Sequence, residues 1–359
     1  MMRIGIFDPY LDTLSGGEKY MLSIASCLVQ EYEVFIFWDK SKEDKIKQTA
    51  LKKLGIDLSS VKFYSNIFDK KTSLLSRFVQ SRKFDAIVYL SDGSIPIVGS
   101  KLFIHFQFPI EWINGNSMKT RIKLFFVKKI FCNSYFTKSF IDKKLDVKSD
   151  VLYPPVNLHV VKNMEKENII LHVGRFDVDF HESNYKKQDV MIDIFKKMID
   201  AGLKNWKFKL VIGVRDGDEE KLNKLRTISE GYPIELIVNI PNQKLWEYYS
   251  KAKIYWHATG YGENLQKYPE KAEHFGISTV EAMGSGCVPV VFNAGGQKEI
   301  IEDNKNGYLC NNIEDFISKT NALIKDENLL RKISIASIRR SSIFSGDRFC
   351  KELKKIINE

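Results

Sequence analysis

Two glutamates, Glu273 and Glu281, stand with seven residues between them in the stretch EHFGISTVEAM. Small residues and a Gly-rich segment surround them, and the apolar run VPVVF follows. Gly276 permits a tight turn, and a helix beginning near Ser278 or Thr279 would set its free N–H groups and positive dipole end at this mouth. That is a place for phosphate. The same letters fit a capping box, with Ser278 followed three residues later by Glu281. Arg175 closes the run IILHVG, and Lys186 and Lys187 precede the helical pattern QDVMIDIFKKMIDAG. Cations at strand and helix ends can clamp a diphosphate and neutralise its charge as it leaves. In the first half, SGGEKY carries Gly16 and Gly17, which let backbone approach a ligand, yet it is neither GxGxxG nor a P-loop. His105 closes the apolar run LFIHF, where a histidine satisfied within the core is the common alternative.

These residues need elements to hold them. RIGIF, EVFIFW, AIVYL, LFIHF and IFCN alternate with amphipathic stretches, the rhythm of a mostly parallel sheet covered by helices. The rhythm pauses at VLYPPVN, where Pro154 and Pro155 can continue neither helix nor central strand. It then restarts through NIILHVG, KFKLVIG, IELIVN, IYWHA, VPVVF and GYLC. The expected fold is α/β, in two domains, with ligands beyond the carboxyl ends of the strands and a cleft between facing sheets. The final stretch GDRFCKELKKIINE is helical by period.

Composition sets the bounds. The 359 residues suit two domains, and 44% hydrophobic with 28% charged residues is ordinary for a globular protein. Five scattered cysteines without a CxxC pair predict buried free thiols, a reducing compartment and no zinc site. MMRIGIFDPY reads as a first strand rather than a signal peptide, and no run of about 18 apolar residues occurs. Of the net charge of +10, residues 1–154 carry 24 − 16 = +8 and the remainder 31 − 29 = +2.

Together these pieces resemble a family 4 glycosyltransferase of the GT-B type, two Rossmann-like domains facing across a cleft. The carriers are SGGEKYMLSIA, FIHFQFP, FCNSYFTK, VLYPPVN, VGRF…KKQD and the E-x7-E pair, in that order. The form EHFGIxxVE…GG is also similar to the dolichol-pathway α-1,2-mannosyltransferases and to bacterial group 1 glycosyltransferases. The resemblance implies an N-terminal acceptor domain over 1–154 and a nucleotide-sugar donor domain over 155–342. It also implies a C-terminal helix, 343–359, that can pack back on the first domain. It assigns Glu273 to the donor sugar near the reacting carbon and Glu281 to the ribose. His274, Phe275, Gly276 and Ile277 would offer backbone N–H groups, and Arg175 with Lys187 (Lys186 as alternate) would hold the diphosphate. His105 would lie near the transferred sugar, and Gly16 and Gly17 near the phosphates. The chain departs from the family in its glycine-poorer SGGE loop. Its long insert DVDFHESNY leaves the choice between the two lysines open.

The implied reaction is retaining transfer of a hexose from a nucleoside-diphosphate sugar to a glycan or polyprenyl-linked acceptor. No metal or other cofactor is expected, since members of the resembled family usually work without a catalytic metal. GDP-mannose is favoured over UDP-glucose, with a GT-B nucleotide-sugar epimerase as the alternative. No nucleic acid partner is expected, because RRM, KH and C₂H₂ signatures are missing. Residues 118–131, MKTRIKLFFVKKIF, interleave five basic residues with apolar ones and contain no acid. They read either as a solvated helix leading into a strand or as a patch for an anionic membrane. The expected location is cytoplasmic, peripheral at the membrane's inner face if that patch binds lipid.

Overall fold

The computed structural model describes residues 1–12, 16–156, 158, 164–176, 184–215 and 217–359. Ser15 of the glycine loop and residues 177–183 of the insert lie outside the described residues. The chain divides into two compact units, Met1–Pro155 with Gly346–Glu359, and Val156–Ser345.

The first unit holds seven parallel strands: β1 (Arg3–Phe7), β2 (Glu33–Phe37), β3 (Lys62–Tyr64), β4 (Ala86–Leu90), β5 (Lys101–Phe106), β6 (Val127–Cys132) and β7 (Asp150–Val151). Their order is β3-β2-β1-β4-β5-β6-β7. Five helices intervene: α1 (Gly16–Leu28), α2 (Glu43–Thr49), α3 (Leu74–Ser81), α4 (Met118–Phe125) and α5 (Tyr135–Leu145). Successive strand residues face opposite sides, so Ile4, Ile6, Val34 and Ile36 enter one core and Phe7, Phe35 and Phe37 the other. This is why the strands read as unbroken apolar runs: both faces are covered.

The second unit holds six parallel strands: β8 (Glu167–Arg175), β9 (Lys207–Gly213), β10 (Ile234–Val238), β11 (Ala252–His257), β12 (Val288–Phe292) and β13 (Tyr308–Cys310). Their order is β10-β9-β8-β11-β12-β13. Its helices are α6 (Gln188–Asp200), α7 (Glu219–Ser229), α8 (Asn242–Lys251), α9 (Ile277–Gly284), α10 (Gln297–Ile300), α11 (Ile313–Lys325) and α12 (Glu327–Ser341). Strand order reverses between β1 and β4 in one sheet and between β8 and β11 in the other. Those are the switch points beyond which open α/β sheets bind ligands.

The chain then returns to the first unit with α13 (Gly346–Asn358). Phe349, Leu353, Ile356 and Ile357 of α13 are buried in the same core as α1. That packing brings Cys27 and Cys350 together as a disulfide, with Cα atoms 5.4 Å apart across 323 residues of sequence. The expectation of five free thiols is corrected here, and the inference of a reducing compartment loses its basis. Spacing in sequence carries no signal for a pair joined only by tertiary packing. Cys132, Cys287 and Cys310 are free and buried.

Candidate active site

The switch point of the second sheet collects most of the sequence-predicted residues. Arg175 is the last residue of β8, and its side chain is exposed. His257 ends β11 and is buried. Between these strand ends lies Glu273, whose Oε2 accepts from Lys186 Nζ at 2.8 Å and from His257 Nε2 at 3.0 Å. Burial works to raise the Glu273 carboxyl, but Lys186 and His257 outweigh it and hold the group well below the usual carboxylate range. Glu273 is therefore a fixed anion. His257 is itself lowered by burial, with Glu273 opposing, so it donates from Nε2 as a neutral ring.

Backbone geometry explains the turn. Gly276 has φ +118° and caps α9 without any side-chain hydrogen bond. Thr279 N donates to the Gly276 carbonyl at 3.1 Å, which leaves the N–H groups of Ile277 and Ser278 without a helical partner or a side-chain cap. Phe275 is buried and meets the Phe344 ring edge-on at 5.4 Å, so it anchors the turn and offers a ligand only backbone. Behind the turn lies a glycine pair. A Cβ on Gly295 would stand 2.1 Å from the Glu273 carbonyl, and Gly296 N donates to that carbonyl at 2.7 Å. The capping box does not form, because the helix starts at Ile277 and Ser278 lies inside it. Ser278 Oγ instead accepts from Tyr255 at 2.8 Å. Glu281 accepts from the buried Tyr249 hydroxyl at 3.1 Å. His274 sets Nε2 3.2 Å from the Glu270 carbonyl, and burial pushes its pKa down to about 4.

The two lysines part company. Lys186 faces Glu273, whereas Lys187 takes φ +56°, caps α6 and pairs with Glu263 at 2.6 Å. Lys271 joins Glu263 at 3.3 Å. Glu263, His257 and the glycines at 295 and 296 were missed as functional residues in the sequence. The signal that could have found His257 is its place at the end of an apolar strand beside the switch point. Among the described residues no group of three or more His, Cys, Asp or Glu could hold a metal ion.

In the first unit Gly17 lies in the opening turn of α1, just after the helix starts at Gly16. Its carbonyl accepts from Gln107 Nε2 at 3.0 Å. His105 is fully buried, with ring centroids 4.1 Å from Tyr20 and 4.6 Å from Phe131. Its Nδ1 meets the Phe131 carbonyl at 3.1 Å, and burial pushes its pKa down to about 3. His105 is thus packed between two rings, with Nε2 buried and without a hydrogen-bond partner. Two residues on, past the end of β5, Gln107 is the side chain on the glycine turn.

Two doubly wound parallel sheets are the architecture of the GT-B glycosyltransferases. The model of the family described as glycosyl transferases group 1 matches residues 157–340, 184 of the 359 residues, and the chain belongs to that family. It is 23% identical to the Dictyostelium discoideum GDP-Man:Man(3)GlcNAc(2)-PP-Dol alpha-1,2-mannosyltransferase, over all of this chain and 85% of that protein. It is 24% identical to alpha-1,3/1,6-mannosyltransferase ALG2 of the same organism, over all of this chain and 98% of that protein. Among solved structures, TarM superposes with a TM-score of 0.76 at 14% identity, covering 100% of this chain and 99% of that one. Anabaena Alr3699/HepE in complex with UDP gives 0.71 at 15%, covering both chains completely. These likenesses show the fold. Among the described residues no helix is long and apolar enough to cross a membrane.

Proposed function

We propose that the chain is a retaining hexosyltransferase that moves mannose from GDP-mannose to a glycan or polyprenyl-linked acceptor. The observation that carries this is the anionic Glu273, held by Lys186 and His257 beside the uncapped N-terminus of α9. A carboxylate so fixed supports positive charge growing at the anomeric carbon, while Lys186, Arg175 and the α9 N–H groups meet negative charge growing on the departing diphosphate. Lys186 rather than Lys187 is the diphosphate lysine in this reading, because Lys186 stands on Glu273, the residue assigned to the reacting sugar, whereas Lys187 pairs with Glu263. Glu281 serves the ribose, with Tyr249 orienting it. On the acceptor unit, Gln107 rather than His105 is the residue for substrate contact. Mannose is favoured because both full-length relatives carry mannosyltransferase names.

The test is a donor panel with purified protein and short glycan and polyprenyl-diphosphate acceptors, with the product anomer assigned by NMR. GDP-mannose consumed only with acceptor, giving an α-linked product, is expected. Consumption of UDP-glucose instead would change the sugar. An epimerised nucleotide sugar formed without acceptor would overturn transfer.

A further inference from the structure

Two helices of the first unit leave apolar side chains uncovered. On α4 these are Met118, Ile122 and Phe125, with Phe126 just beyond, and Phe125 is 85% exposed. On α3 they are Leu74, Leu75, Phe78 and Val79, with Leu75 at 74%. Single exposed apolar residues need no explanation, but these are eight of the 17 large ones exposed among the described residues. Between the helices runs a groove of about 480 Å³ lined by Leu74 and Arg77 on α3 and by Lys119, Ile122 and Lys123 on α4. Three cations converge there. Burial, then Lys119 and Arg77, holds Lys123 below its ordinary value. None of the three pairs with a carboxylate among the described residues.

The charge pattern of residues 118–131 is thereby revised. Arg121 pairs with Asp146 at 3.0 Å, and Lys129 pairs with Asp150 at 3.0 Å and with Glu359. Acids from elsewhere in the chain neutralise two of the five charges. Of the other three, Lys119 and Lys123 line the groove facing α3, an element that carried no signal in the sequence.

We propose that α3 and α4 together dock the first unit on an anionic phospholipid bilayer, with their apolar side chains in the interface and Arg77, Lys119 and Lys123 on lipid phosphate at the groove. Charge complementarity selects this occupant: an apolar face ringed by unpaired cations suits an anionic interface. The face belongs to one unit and stands independently of the donor reading.

Co-sedimentation of the full chain with phosphatidylcholine vesicles, with and without phosphatidylglycerol, tests it. Pelleting only with phosphatidylglycerol, weakening as salt is added, is expected. Lys119→Ala and Lys123→Ala should each lower partitioning roughly fivefold. Leu74→Ser with Leu75→Ser, confined to α3, should lower it at least as much while leaving nucleotide-sugar affinity by calorimetry unchanged. Equal pelleting with neutral vesicles, none with either, or normal partitioning of the α3 variant would overturn the proposal. So would a stable dimer of the parent that dissociates on those α3 changes. A parent that binds nucleotide sugar but no vesicle sinks the docking alone; the reverse sinks the donor reading alone.

Discussion

At the scale of residues, one carboxylate is held charged and another is pushed toward its neutral form. Glu273 is an anion fixed by Lys186 and His257. Replacing it with Gln should lower transfer on the order of 10²-fold while leaving nucleoside-diphosphate affinity largely intact. Lys186→Ala should weaken that affinity by roughly 1.5–3 kcal/mol, and Lys187→Ala by clearly less. Equal losses in calorimetry would return Lys187 to the site. Asp8, at the switch point of the first sheet, behaves in the opposite way. Burial, with Glu18 and Asp12 adding repulsion and the Tyr10 amide opposing, raises its pKa to about 7. Its Oδ2 is buried without a partner. Below about pH 4 the group is protonated folded or unfolded; between there and about 7 only the unfolded chain ionises, so stability falls as pH rises. Asp8→Asn should remove that slope, worth about 1.4 kcal/mol per unit. Urea unfolding at pH 5 and pH 8 checks it: the variant's stability relative to the parent should be clearly greater at the higher pH, and an equal difference at both would sink the assignment.

At the scale of elements, the sequence showed strands and helices well and contacts between them poorly. The alternation of apolar runs gave β1, β4, β8 and β12, because it depends on short-range period, and the turn at Gly276 pointed to α9; the E-x7-E pair entered through the family resemblance. The N-terminus of α9 was read one or two residues late, since Gly276 rather than Ser278 caps it and a left-handed φ leaves no mark but the glycine itself. The burial of His105 was not legible either. A strand's last residues look alike in sequence, yet His105 is fully buried and Gln107, two positions on, only partly so. Lys166 shows what spacing hides. Its Nζ donates to the carbonyls of Ala252 and Ser285, both at 2.7 Å, and of Tyr249 at 3.2 Å. One ammonium thus closes the C-terminal ends of α8 and α9. Lys166→Met would strand these acceptors, at about 1–3 kcal/mol for each that water cannot reach. A lowered melting temperature for the second unit, with the first unchanged, is the expected result in calorimetry. No shift would mean that water replaces the ammonium.

At the scale of the whole molecule, the first unit is built from two separated pieces of chain. Deleting residues 346–359 would uncover Phe349, Leu353, Ile356 and Ile357, each worth about 1.5–3 kcal/mol when buried. Against a domain stability of about 5–15 kcal/mol, the loss should leave the first unit largely unfolded. Limited proteolysis should then return the second unit intact and digest residues 1–155. Survival of both would show that α13 is dispensable.

The return of α13 also sets an order of events. A domain emerging first from the ribosome ordinarily folds first. Here the first unit lacks its α13 face until residues beyond 345 have been made, whereas the second unit is one continuous segment. The second unit can therefore close around its own core while the first still waits, and joining Cys27 to Cys350 means closing a loop of 323 residues. Refolding watched through Trp256 in the second unit and Trp38 in the first, each as the sole tryptophan, should show Trp256 reaching its final signal earlier. Simultaneous phases would mean that residues 1–155 fold without their distant helix. In the cell, the earliest-made half of this protein would be the half that spends longest in need of a chaperone.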